Sequence, residues 1–152
     1  MKRMHIHISV DDLNKSIHFY NSLFGTGPTV EKPDYAKWML DDPLVNFAIS
    51  KRGTKTGLDH IGIQADSDTE LTEIKSRLDQ AELSTLTQEG TTCCYAKSDK
   101  HWVIDPTGIA WEAYHTLDSA PTFNDSSEQA AESACCAPTP QAVQFISRKA
   151  KS

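Results

Sequence analysis

His5-Ile6-His7-Ile8-Ser9-Val10 alternates polar and apolar residues with the period of a strand buried on one face. Leu58-Asp59-His60-Ile61-Gly62-Ile63-Gln64-Ala65 restarts that pattern in the second half of the chain. A helix is expected after each. Asp11 or Asp12 supplies the N-cap for the first, whose Leu13, Ile17, Tyr20 and Phe24 recur at helical spacing before Gly25 stops it. Ser67-Asp68-Thr69-Glu70 forms a capping box for the second, which places Leu71, Ile74, Leu78 and Ala81 on one face. Strands follow at Tyr35–Leu40 and Leu44–Ser50, joined through Asp41-Asp42-Pro43. In the other half they are expected over Thr92–Lys97, His101–Asp105 and Ile109–Thr116, with a type I turn at Asp105-Pro106-Thr107-Gly108. The pattern predicts an α+β chain of two βαβββ modules that bury their sheet faces against each other.

The modules span about residues 4–50 and 58–116, within a domain of residues 1–117. From Asp118 to Ser152 small and polar residues dominate, too few of them apolar to anchor a core, so this stretch reads as a flexible tail. The 152 residues carry 15 Lys+Arg against 21 Asp+Glu, for a net charge of −6. That acidity excludes a phosphate-backbone binder, so no nucleic-acid partner is expected. No window reaches the length of a membrane span, and the N-terminus turns polar too early for a secretory signal, so a cytoplasmic protein with no membrane partner is expected. The four cysteines form two adjacent pairs, Cys93-Cys94 and Cys135-Cys136. Neighbouring cysteines are poor disulfide partners, and in a reducing compartment such pairs suit soft metals or metalloids.

Alignment of the halves sets His5 over His60, on the first strand of each module. Equivalent positions in a duplicated fold lie near a pseudo-twofold axis, where the imidazoles can converge. Glu112, in Trp111-Glu112-Ala113-Tyr114 on the last strand, is placed to add a carboxylate. Two imidazoles and one carboxylate leave open coordination positions, which suits non-haem Fe(II) or another divalent metal. His7 shares the His5 face, but its counterpart is Gly62, so it is expected to support a ligand rather than to be one.

These residues resemble the vicinal oxygen chelate (glyoxalase/bleomycin resistance/dioxygenase) superfamily: His5 ahead of Asp12-Leu13 and Phe19-Tyr20, then Leu58-Asp59-His60, then Trp111-Glu112. Phe24-Gly25-Thr26-Gly27-Pro28, Thr92-Cys93-Cys94-Tyr95-Ala96 and Asp99-Lys100-His101-Trp102-Val103 resemble, more narrowly, the C–As lyase branch, whose sister branch comprises cadmium-induced proteins. The resemblance covers about residues 4–116. It implies an open mixed-sheet cleft and an Fe(II)-dependent dioxygenase that uses dioxygen to cleave the C–As bond of a trivalent organoarsenical, methyl or aryl, releasing arsenite and conferring resistance. His5, His60 and Glu112 would hold the metal. Cys93, Cys94, Tyr95 and Lys100 would meet the substrate, with Lys97 and Lys100 favouring thiolates. Both sulfurs can reach one arsenic only if the segment leaves regular strand geometry. Cys135-Cys136 would be incidental, or would scavenge arsenic and pass it inward, or hold released arsenite. The chain is expected as a monomer or homodimer. The alternative is a soft-metal or metalloid binder without turnover.

Overall fold

The structure is a computed structural model and describes residues 1–52, 55–121 and 137–138. Its elements run β1 (Arg3–Ser9), α1 (Leu13–Phe24), β2 (Val30–Lys32), β3 (Tyr35–Asp41), β4 (Leu44–Ser50), β5 (Gly57–Ala65), α2 (Asp68–Gln80), β6 (Leu86–Cys93), β7 (Ala96–Ile104) and β8 (Ala110–Ser119). This is βαβββ twice. The strands form a single eight-stranded sheet, β2-β3-β4-β1-β5-β8-β7-β6, curled into a half-barrel. β1 runs parallel to β4 and β5 parallel to β8, while β1 and β5 join the modules in antiparallel fashion.

The helix signals act as expected. Asp12 accepts from the Lys15 backbone amide at 3.0 Å, and Gly25 closes α1 with φ +69°. Ser67 accepts from the Glu70 amide at 3.2 Å, but the Glu70 carboxylate reaches one residue further back than a capping box requires, to the Asp66 amide at 2.9 Å. Ala81, expected on the buried face of α2, is its exposed C-terminal cap.

Both helices cover the convex side of the sheet. Under α1, Leu13 and Ile17 pack with Trp38, Phe47 and Ile49; under α2, Leu71 and Ile74 pack with Ala65 and Ala113. Strand alternation then sends the other side chains to the concave face: His5, His7 and Ser9 from β1, and Asn46, Ala48 and Ser50 from β4, all buried.

The strands differ from expectation in three places. β2 is an additional short strand. Thr92–Lys97 is not one strand but the tip of a hairpin, with Cys93 paired to Ala96 across a two-residue loop. β8 continues to Ser119, where it pairs with Ala96, so the ordered module passes the expected boundary at Asp118. Of the segment read as a tail, Ala137 and Pro138 are described and Pro138 is buried; the Cys135-Cys136 pair lies outside the described residues.

Candidate functional site

The β1–β5 pairing sets the geometry of the site. Ile6 faces Ile61 across the seam, so His5 faces Gly62 and His7 faces His60. The axis through the Ile6–Ile61 pair therefore exchanges His5 with His60, as the alignment of the halves requires. The two Nε2 atoms lie 3.1 Å apart. Glu112 Oε2 lies 3.3 Å from His60 Nε2 and 3.7 Å from His5 Nε2. Gly62 and Glu112 are cross-strand partners, and a Cβ on Gly62 would come within 2.0 Å of the Glu112 carbonyl oxygen. The absent side chain lets β8 carry Glu112 into place.

The other nitrogen of each ring is held from behind. His5 Nδ1 lies 3.1 Å from the Asn46 carbonyl oxygen, and His60 Nδ1 lies 2.5 Å from Asp59 Oδ1. Adjacent residues on a regular strand point to opposite faces. Here the register slips between His7 and Ile8, leaving Asp59 unpaired in a bulge, and its carboxylate turns back to the ring. Protons kept on both Nδ1 atoms leave the Nε2 lone pairs and a carboxylate oxygen facing one another. Atoms about 2.1 Å from a common ion stand roughly 3.0–3.4 Å apart, close to the spacing seen. The donor set suits a divalent metal.

Without an ion the electrostatics separate the two rings. Burial, with His60 nearby, lowers His5 to a pKa of about 4; burial with the same neighbour lowers His7 to about 3, so both are neutral near pH 7. Burial also opposes a charge on His60, but the hydrogen bonds it donates to Asp59 and Glu112 overcome it and raise its pKa to about 8. Without an ion the ring is therefore protonated near pH 7, and Nε2 is free to ligate only when an ion displaces that proton. Burial alone would raise the Glu112 carboxyl; Lys100 and the histidines instead hold it well below the usual carboxylate range. His7 is closer than expected. Among the described residues, His5, His7 and His60 form a group whose ligand atoms lie within 4.8 Å of one another and could hold a metal ion. His7 Nε2 lies 2.9 Å from Ser50 Oγ, and among the described residues its buried Nδ1 has no hydrogen-bond partner.

The site opens into a cavity of about 40 Å³ whose lining includes His5, His60, Glu112, Cys94, Lys100 and Lys37. Cys94 and Tyr95 have φ of +54° and +61°, which makes the hairpin loop a type I′ turn built without glycine. The turn brings the Cys93 and Cys94 sulfurs to 3.3 Å. Cys93 is disulfide-bonded, whereas the Cys94 thiol is free. Burial pushes Cys94 up to about 12 against the opposing pull of Lys100, so it is a neutral thiol and not the expected thiolate. Lys97 is exposed and does not line the cavity. Tyr95 does not line it either. Its hydroxyl donates to Asp34 Oδ1 at 2.6 Å, and its ring lies 5.8 Å from that of Tyr35, tying the hairpin to the far end of the sheet.

Asp59, Lys37, Asn46 and Tyr114 belong to the site and were not anticipated. Asn46 donates to the Tyr114 hydroxyl at 2.7 Å and to Gln64 at 2.9 Å. Lys37 carried a signal, as the one charge inside Tyr35-Ala36-Lys37-Trp38-Met39-Leu40.

The Glyoxalase/Bleomycin resistance protein/Dioxygenase superfamily description matches residues 2–113. A trivalent organoarsenical cleaving enzyme of Bacillus sp. (strain MD1) is 39% identical over 149 residues, covering 91% of this chain and 92% of that protein. Cadmium-induced protein CadI of Mycobacterium bovis is 38% identical, covering 90% of this chain and 93% of its own. Among solved structures, the H200Q variant of homoprotocatechuate 2,3-dioxygenase from B. fuscum aligns with TM-score 0.59 at 16% identity, over 79% of this chain and 33% of that one. The Mn(II)-bound glyoxalase from Novosphingobium aromaticivorans aligns with TM-score 0.56 at 16% identity, over 87% and 44%. At such identities these structures establish the fold alone.

Proposed function

Because the chain belongs to the glyoxalase/bleomycin resistance/dioxygenase superfamily, we propose that it is an Fe(II)-dependent dioxygenase that cleaves the C–As bond of trivalent organoarsenicals and releases arsenite. The observation that carries this reading is the meeting of His5 Nε2, His60 Nε2 and Glu112 Oε2, within 3.7 Å of one another, on a cavity that also holds the Cys94 thiol. The relatives named for organoarsenical cleavage support it. His5, His60 and Glu112 would hold the iron, with His7 behind them. Bound there, Fe(II) supplies dioxygen activation.

The chain's own residues do the rest. Cys93 and Cys94 take up the arsenical: each thiol condenses with an As–OH group, forming As–S and releasing water, so the thiol proton leaves with the hydroxide. A neutral Cys94 suits that exchange. Capture by both sulfurs needs Cys93 reduced, so a thiol reductant is part of the reaction mixture. The type I′ turn fixes the carbon substituent beside the metal site, which supplies the proximity the reaction needs. Lys100 keeps Glu112 ionised, and Asp59 and the Asn46 carbonyl hold the two imidazoles in the tautomer that ligates.

The test is anaerobic loading with Fe(II) under thiol reductant, then exposure to air with a methylated trivalent arsenical while arsenite is measured. Arsenite release that needs both iron and dioxygen is the expected result. Cys93→Ser should abolish it with iron content near normal, and His60→Ala should lose the iron. Tight binding of arsenic or cadmium with no arsenite release would favour the binder without turnover, which the likeness to CadI supports.

A further inference from the structure

The pseudo-twofold axis that relates His5 to His60 also gives Glu112 a counterpart. Glu112 is the β8 residue paired with Gly62; Gly62 corresponds to His7, and the β4 residue paired with His7 is Ala48. Where one module presents a carboxylate to the cavity, the other has Ala48, which packs with Tyr35 and Cys93. Ala48 is fully buried, and the residue paired with it on β3 is Lys37.

Lys37 is unusual in its surroundings. It lines the cavity, and among the described residues no carboxylate lies within 4.0 Å of its ammonium. The carboxylate of the lining, Glu112, is already engaged by Lys100 at 2.7 Å. Tyr35, Tyr114 and Cys94, the other weak acids of the lining, are of types that are ordinarily uncharged near pH 7. The Lys37 ammonium is thus a partly buried charge with no carboxylate beside it among the described residues, and withdrawing such a charge from water is costly. A cavity of about 40 Å³ has room for roughly three waters, or for one small polyatomic ion.

We propose that the end of this cavity lined by Lys37 is a binding site for a small anion, which is neutralised by the Lys37 ammonium. This rests on the reading that His5, His60 and Glu112 hold a divalent metal. The site is thus asymmetric by design of the sequence: a fixed carboxylate from one module, an exchangeable anion beside the other.

Azide titrated into the Co(II)-loaded protein, followed by visible absorption, tests the site, with Co(II) affinity measured separately by competition with a chelator. Wild type should bind azide. Lys37→Met should weaken azide at least tenfold with Co(II) affinity unchanged within twofold, and Lys37→Arg should recover most of the loss. Normal Co(II) binding with azide affinity equal in wild type and Lys37→Met would overturn the anion site alone. Failure of the wild type to hold Co(II) would overturn the ligand assignment and this inference with it.

Discussion

Lys100 Nζ lies 2.7 Å from Glu112 Oε1, which leaves Oε2 of the same carboxylate for the two histidines. One oxygen is bound to a lysine on the neighbouring strand and the other is presented to the two imidazoles. Lys100 and Glu112 are 3% and 5% exposed, so neither charge has water to fall back on.

Lys100→Met should therefore destabilise the metal-free protein by about 3–5 kcal/mol, because it strands a buried carboxylate. A divalent metal should recover part of the loss, visible as a larger metal-induced rise in Tm than in wild type. The pH dependence has a definite sign. Glu112 has its folded pKa depressed, so its contribution is present above the ordinary value of 4.5 and lost as pH falls below it. The acid limb of the stability curve should be shallower in Lys100→Met.

Asp59→Ala removes the group that orients His60 and should weaken metal affinity about 10–100-fold, measured by calorimetric titration. In the metal-free protein His60 has its pKa raised from 6.5 to about 8, so the Asp59–His60 pair stabilises fully below 6.5 and loses its effect as pH rises through 8. Urea denaturation between those values should show the decline in wild type and its absence in Asp59→Ala.

Cys94, held near 12 rather than the ordinary 9.0, should react with iodoacetamide at pH 8 on the order of a thousandfold more slowly than an unperturbed thiol. Peptide mass spectrometry reads this directly. The rate should keep rising with pH beyond 10, where an ordinary thiol has levelled off.

Gly62→Ala places a methyl group 2.0 Å from the Glu112 carbonyl oxygen, against backbone that cannot swing aside. β5 and β8 must separate, at a cost of about 1–3 kcal/mol, and Glu112 moves with them. A lowered Tm together with weakened metal binding is the expected pair of results; unchanged metal binding would show that β8 does not depend on this close approach.

Much of this arrangement was legible because it is written in periodicity. The alternation in His5–Val10 and its restart at Leu58–Ala65 gave the two modules, and their superposition predicted that His5 and His60 would meet. What stayed hidden came from departures from regular geometry. Asp59 reaches His60 through a bulge, and a bulge leaves no mark on an alternating pattern. The Cys93–Ala96 hairpin carries no Asn-Gly or Gly-Gly signal; its left-handed positions are filled by Cys94 and Tyr95, so the segment resembles continuous strand. The same turn aims Tyr95 at Asp34 and away from the cavity, a direction that alternation alone does not give. Thiol ionisation was misjudged because sequence shows nearby lysines but not burial, and burial dominates at Cys94.

The seam between β1 and β5 carries one further consequence. His5 and His60 stand on opposite sides of the line along which the two halves of the molecule would come apart. An ion gripped by both works as a rivet through that line: the halves cannot peel away from each other without first surrendering it. Resistance to unfolding should then climb with the logarithm of free metal concentration, and a chelator would loosen the whole molecule at its midline rather than one loop at its rim.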